Sequence, residues 1–131
     1  WTSKLQATIA LSTMEAEYMA LSMAMKSLIP FQETVRATAH AVGLDENYMT
    51  TFKTTVWEDN MGALTLANLE PGQVTPSSKH YAVKFHWFRQ FLKPKRVEVL
   101  KIATDEQKAD ILTKGLVEAK FIAIRKLLSG W

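Results

Sequence analysis

KTTVWEDNMGAL, residues 53–64, sets β-branched Thr54, Thr55 and Val56 and then Trp57 ahead of an acid pair and a run of helix formers. β-branched and aromatic side chains fit a pleated, half-buried surface, so the spacing predicts a strand over Lys53–Glu58 with Asp59 at its end. Asn60 to about Leu69 predicts a short helix, which Glu70-Pro71-Gly72 ends by turn chemistry. A strand that runs straight into a helix is a building unit of α/β domains.

Upstream, Ser12-Thr13-Met14-Glu15 matches a capping box, in which a hydroxyl and a carboxylate satisfy orphan backbone amides. Ala, Met and Leu dominate from there to about Val42, where Gly43 supplies a stop. Pro30 lacks the amide proton of an interior helical bond, so a kink or restart is expected near Ile29–Phe31. Trp1–Ser12 reads as extended backbone. Downstream, Pro76, Ser77 and Ser78 lead into a predicted basic, aromatic helix from Lys79 to Leu92, closed by Pro94. Arg96–Ala103 predicts a further strand. Thr104–Gln107 offers a second capping box before a helix through Thr113, and Leu116–Leu128 is amphipathic and reads as a helical tail. The predicted order is strand, long helix, strand, helix, helix, strand, helix, without an internal repeat. That order implies a mixed α/β sheet flanked by helices. Three strands make a small sheet with an open edge, which points to a sheet lacking its first strands.

The chain has 131 residues, 47% hydrophobic and 22% charged, the proportions of an ordinary globular domain, and its length favours one domain. Residue 1 is Trp, and an N-terminally truncated chain is expected. The absence of cysteine removes disulfides, thiolate nucleophiles and cysteine-ligated zinc. The richest apolar run, Tyr18–Phe31, is broken by Ser22, Lys26 and Ser27 and falls short of the roughly 20 residues a membrane span needs. No secretory signal is visible, so an intracellular, membrane-free protein is expected, in cytoplasmic particle or nucleus.

Net charge is +3, but it is segregated. Residues 1–78 hold 4 basic and 8 acidic side chains, whereas residues 79–101 hold 7 basic ones against Glu98 alone. Such asymmetry suggests a polyanion held by one segment and a different task for the carboxylates elsewhere. A solvated basic helix is the plainer alternative.

No nucleophile elbow and no glycine-rich phosphate loop occur, and His80 and His86 are six apart, off the spacing that turns two ligands to one metal. The acids carry more. Glu17 sits in the second turn of the long helix, Asp59 ends a strand, and Asp110 opens the helix after the last strand. Carboxylates brought together repel unless cations lie between them, and an oxygen-only set favours magnesium or manganese over zinc. Glu15 and Glu17 subtend roughly 200° on a helix and cannot share a face. Glu15 fits the cap, so Glu17 is the better ligand candidate. Spacing leaves alternatives open: Glu17 as a solvated residue, Asp59 or Asn60 as an N-cap, Asp110 as a surface acid.

Four segments in order, LSTMEAEYMAL at 11–21, WEDNMGAL at 57–64, SSKHYAVKFHWFRQFL at 77–92 and DEQKADILTKGL at 105–116, resemble the ribonuclease H region at the C-terminal end of copia-type LTR retrotransposon polyproteins. The resemblance covers nearly the whole chain, 1–131, with 116–131 as a C-terminal tail. It implies a ribonuclease H-like fold and cleavage of the RNA strand of an RNA–DNA hybrid with two Mg2+ (or Mn2+) ions. Carried over motif by motif, Glu17, Asp59 and Asp110 would be the catalytic metal ligands, while the family's remaining aspartate would lie upstream of Trp1. Its partners would be the hybrid and the reverse transcriptase region of the same polyprotein. One ion would activate water and the other stabilise the leaving oxygen, about 4 Å apart. Lys79, Lys84 and Arg89 are the candidate phosphate contacts, with binding that weakens steeply in salt. Phe85, Trp87, Phe88 and Phe91 fit packing better than base stacking. Family members usually read KHIDV where this chain has KHYAV with Ala82, and Lys101–Lys108 contains no histidine. The rival expectations are a decayed, non-catalytic nucleic-acid-binding module and, more remotely, a host interaction domain.

Overall fold

A computed structural model describes residues 6–44, 52–75, 78 and 83–131. They fall into two compact units, Trp1–Lys101 and Ile102–Trp131. The first contains α1 (Thr13–Ala41), β1 (Thr54–Glu58), α2 (Met61–Ala67), α3 (Arg89–Leu92) and β2 (Val97–Lys101); the second contains α4 (Glu118–Ser129).

In the first unit, Ser12 caps α1, its Oγ accepting from the Glu15 amide at 3.1 Å. The Glu15 carboxylate reaches one residue further back than a capping box requires and accepts from Leu11 N–H at 2.8 Å. At the other end Gly43 adopts φ +78°. Gly43 and Leu44 donate to His40 O and Ala39 O, the Schellman arrangement that only a left-handed residue closes cheaply. The restart expected at Pro30 does not occur: α1 runs through it as one 29-residue helix. Pro30 and Lys26 lie on the exposed side, where water can satisfy the Lys26 carbonyl that proline cannot serve.

β1 and β2 pair in parallel, Thr54 opposite Val97 through Glu58 opposite Lys101. They form the one sheet among the described residues. Residues 6–12 carry no strand, and the rest of the extended segment expected at the N-terminus lies outside the described residues. Buried Gln32 of α1 ties both strand starts together, donating from Nε2 to Thr54 Oγ1 at 2.5 Å and to Lys95 O at 3.3 Å. Asn60 caps α2, its Oδ1 accepting from the Gly62 and Ala63 amides at 3.0 and 3.1 Å.

The single helix expected over Lys79–Leu92 is replaced by a 3-10 turn at Val83–Phe85 followed by the one-turn α3; Lys79–Ala82 lie outside the described residues. The reason is that four consecutive side chains are drawn inward. His86 meets the Tyr18 hydroxyl at 2.8 Å, Trp87 Nε1 donates to Ser22 Oγ at 3.1 Å, and Phe88 and Arg89 are buried. A continuous α-helix would turn two of the four away from any one surface. The core joins Tyr18, Leu21 and Met25 of α1 to Ala63, Leu66 and Ala67 of α2, Phe88 and Leu92, and Val97 and Val99 of β2.

Gly62 lets α1 and α2 approach: a Cβ there would lie 2.2 Å from Met14 Sδ. Gly62→Ala should therefore lower stability by about 1 kcal/mol despite alanine's better helix propensity, because the thioether yields only partly. In a Met14→Ala background, which carries its own packing loss, adding Gly62→Ala should cost little further in thermal melts.

In the second unit the expected α-helix before Thr113 is a five-residue 3-10 segment, Lys108–Leu112. Gln107, not Thr104, sits at its cap, and Asp110 O accepts from both Thr113 N and Lys114 N, which closes the segment before Gly115. Gly130, at φ +78°, ends α4. Among the described residues no helix is long and apolar enough to cross a membrane.

Candidate functional site

β1 delivers two acids in succession to the end of the sheet. Strand alternation puts Trp57 outward, 51% exposed, and Glu58 inward, 7% exposed. Glu58 Oε1 accepts from Asn60 N–H at 2.9 Å. Because Asn60 takes the N-cap, Asp59 is excluded from that role. The Asp59 carbonyl accepts from the Lys101 ammonium, which the register places at the end of β2, and its carboxylate has no hydrogen bond or ion pair among the described residues. Glu17, half-buried in the second turn of α1, likewise has no hydrogen bond or ion pair among the described residues, whereas Glu15 is consumed by the cap.

Burial pushes the Glu58 carboxyl above its ordinary range; the Asn60 amide opposes this, the negative charges of Glu17 and Asp59 add to it, and Lys101 opposes it. Glu17 and Asp59 therefore each lie within electrostatic reach of Glu58, as does Lys101. Glu58 escaped sequence reasoning, although its two-residue spacing from Val56 puts both on one face of the strand.

Among the described residues no three His, Asp or Glu side chains converge as a metal cage.

Asp110, in the second unit, is 4% exposed and bridged by Lys114 Nζ at 2.7 Å and Lys120 Nζ at 3.2 Å. The Lys114 hydrogen bond, aided by Lys120 and opposed by desolvation, holds its carboxyl below the ordinary range. Lys120 also donates to Thr104 O at 3.0 Å. The Lys114 pairing was legible in sequence as an i,i+4 partner; the Lys120 one comes from α4 and was not.

Of the candidate phosphate contacts, Lys84 is exposed, its Nζ 5.0 Å from the Phe85 ring centre. Arg89 is 4% exposed, with Nη1 donating to Leu66 O at 3.3 Å. Lys79 lies outside the described residues. Phe88 is fully buried and Phe85 and Trp87 pack against the core.

Tyr18 and His86 form a polar contact within this packing. Burial raises the Tyr18 hydroxyl to about 12, so it stays protonated. Burial and then Arg89 lower the His86 imidazole below its ordinary 6.5. A lowered histidine disfavours protonation in the folded state, so the unfolded chain binds the extra proton first. Stability should be fully present above about pH 6.5 and decline as pH falls through the lowered pKa. His86→Gln should flatten that part of the pH profile in urea titrations at pH 7.5 and 5.5.

The fold and site thus describe a mixed α/β chain with an acidic strand end beside a long capped helix. Over 128 residues, 98% of the chain, it is 33% identical to the Retrovirus-related Pol polyprotein from transposon TNT 1-94 of Nicotiana tabacum. The chain is homologous to a segment of that retrotransposon polyprotein and spans 9% of its length. No protein-family model matches the chain, and no solved structure matches it.

Proposed function

We propose that the chain is the ribonuclease H-like part of a copia-type retrotransposon Pol polyprotein, cleaving the RNA strand of RNA–DNA hybrids during reverse transcription. The observation that carries this reading is the pair of unpaired, half-buried carboxylates Glu17 and Asp59 beside buried Glu58. They come from two of the four segments that resemble ribonuclease H, within a chain homologous to a Pol polyprotein. A divalent cation, when bound, would acidify water and stabilise charge on phosphoryl oxygens. Glu17 and Asp59 would hold it, and Asp110 is assigned to the same role by its motif alone. Lys84 would contact backbone phosphates, and the wide, shallow minor groove of the hybrid would be read by shape and 2′-hydroxyls.

Labelled hybrid and the chain joined to its native upstream sequence test this directly. Mg2+-dependent cleavage of the RNA strand, suppressed by chelator, is the expected result; no cleavage with intact hybrid binding would overturn it. That second outcome is the mark of a non-catalytic binding module, a reading favoured by one feature, the complete pairing of Asp110 with two lysines.

A further inference from the structure

Among the described residues, Arg89 is a charge without a counter-charge. It is 4% exposed, and its one side-chain hydrogen bond among the described residues runs from Nη1 to the Leu66 carbonyl at 3.3 Å. Its Nε is buried without a partner. No carboxylate lies within ion-pair distance of it among the described residues. A guanidinium cannot shed its proton, and burying one unpaired costs several kcal/mol. Something is needed to offset that cost, and Arg89 lines a cleft of about 820 Å³ between α2, α3 and β2. That volume lies in the range of small-molecule sites.

The acids lining this cleft are already committed. Glu70 pairs with Lys93 at 2.5 Å and Glu98 with Lys53 at 2.6 Å, all four at exposed positions. A second guanidinium, Arg96, lines the same cleft. It is exposed, has no ion-pair partner among the described residues, and is held at φ +51°, in the left-handed region that favours glycine. Leu69, Leu92 and Pro94 give the walls an apolar character.

We infer that this cleft is a binding site for a phosphate monoester, its phosphate group held by Arg89 with Arg96 at the rim and its organic body against Leu69, Leu92 and Pro94. Two unpaired guanidiniums match the two charges of a monoester, and planar guanidinium forks suit phosphate oxygens. The site goes beyond the nuclease reading and does not depend on it. Its ligand could be a free organic phosphate or the phosphorylated end of a nucleic acid strand, which share this chemistry.

Phenyl phosphate is the probe, titrated into the 131-residue chain and followed by amide chemical shifts. Saturable shifts confined to residues 67–71, 89–94 and 96–100 are expected, with benzyl alcohol inert and inorganic phosphate about tenfold weaker for want of apolar contact. Exposed Arg96→Ala should weaken binding by about three- to tenfold and Arg89→Met should remove it. If Arg89→Met does not fold, the wild-type shift map and Arg96→Ala decide the matter. Shifts that are absent, lie elsewhere, or are indifferent to Arg96→Ala overturn the site. Displacement of phenyl phosphate by a 5′-phosphorylated oligonucleotide but not its 5′-hydroxyl twin assigns the strand end, and displacement by neither assigns a free monoester. Equal displacement by both would mean backbone diester contact and overturn the monoester assignment.

Discussion

Phe88→Ala is expected to lower the stability of the chain by about 3–5 kcal/mol, the range for emptying a fully buried phenyl site. The ring is 0% exposed and stands 5.6 Å from the Tyr18 ring and 6.4 Å from that of Trp87. Aromatic pairs at such separations add about 0.5–1.5 kcal/mol beyond area burial. Small domains hold only about 5–15 kcal/mol in total, so the loss is a large share of it. Urea titration should show a strongly reduced midpoint. Phe91 provides the contrast: half-buried, with its ring 5.6 Å from Trp87, its alanine variant should cost about 1 kcal/mol. A Phe88→Ala chain within 1 kcal/mol of wild type would mean that α1, α2 and the aromatic segment do not share a core.

Phe88 also shows where sequence reasoning ends. Local signals served well where one backbone group decides the outcome. Ser12 and Glu15 at the start of α1, Gly43 at its end, the β-branched run of β1 and the turn at Glu70–Gly72 all act within a few residues, and the structure carries each. The aromatic segment failed because its conformation is set across the chain. Tyr18 and Ser22, more than sixty residues away, draw His86 and Trp87 inward and break the helix that composition favours. The restart at Pro30 does not occur for the opposite reason: an exposed site lets solvent satisfy the carbonyl that proline leaves unserved.

At the site, capping geometry assigned Glu15 to the start of α1, and the structure has it there, accepting from Leu11 N–H while its own amide donates to Ser12. Asn60 likewise resolved as the cap of α2, leaving Asp59 out. Burial was not legible. Arg89 reads as a surface cation in a basic run yet is enclosed, and Asp110 reads as an isolated acid yet takes two lysines, one of them from a different helix. Charge counts say how many ions a segment holds, not which of them lose water.

Asp59→Asn should abolish hybrid cleavage in the chain joined to its upstream sequence, with turnover falling on the order of 10³-fold. That corresponds to the several kcal/mol a correctly held cation contributes to charge stabilisation. The substitution keeps shape and removes charge, and the Asp59 carboxylate has no hydrogen bond among the described residues whose loss would disturb the fold. Its removal should instead relieve Glu58, whose carboxyl is pushed up partly by Asp59, so the variant's melting temperature at neutral pH should match or slightly exceed that of wild type. Mg2+ should raise the melting temperature of wild type but not of the variant, since a cation stabilises only the folded state that holds it. Hybrid affinity in EDTA should change by no more than about twofold, and in the direction of tighter binding, because one negative charge has left the surface that phosphates approach. Loss of cleavage with retained folding and binding places Asp59 at the reacting phosphate; unchanged turnover removes it, and with it the assignment of Glu17 as its partner.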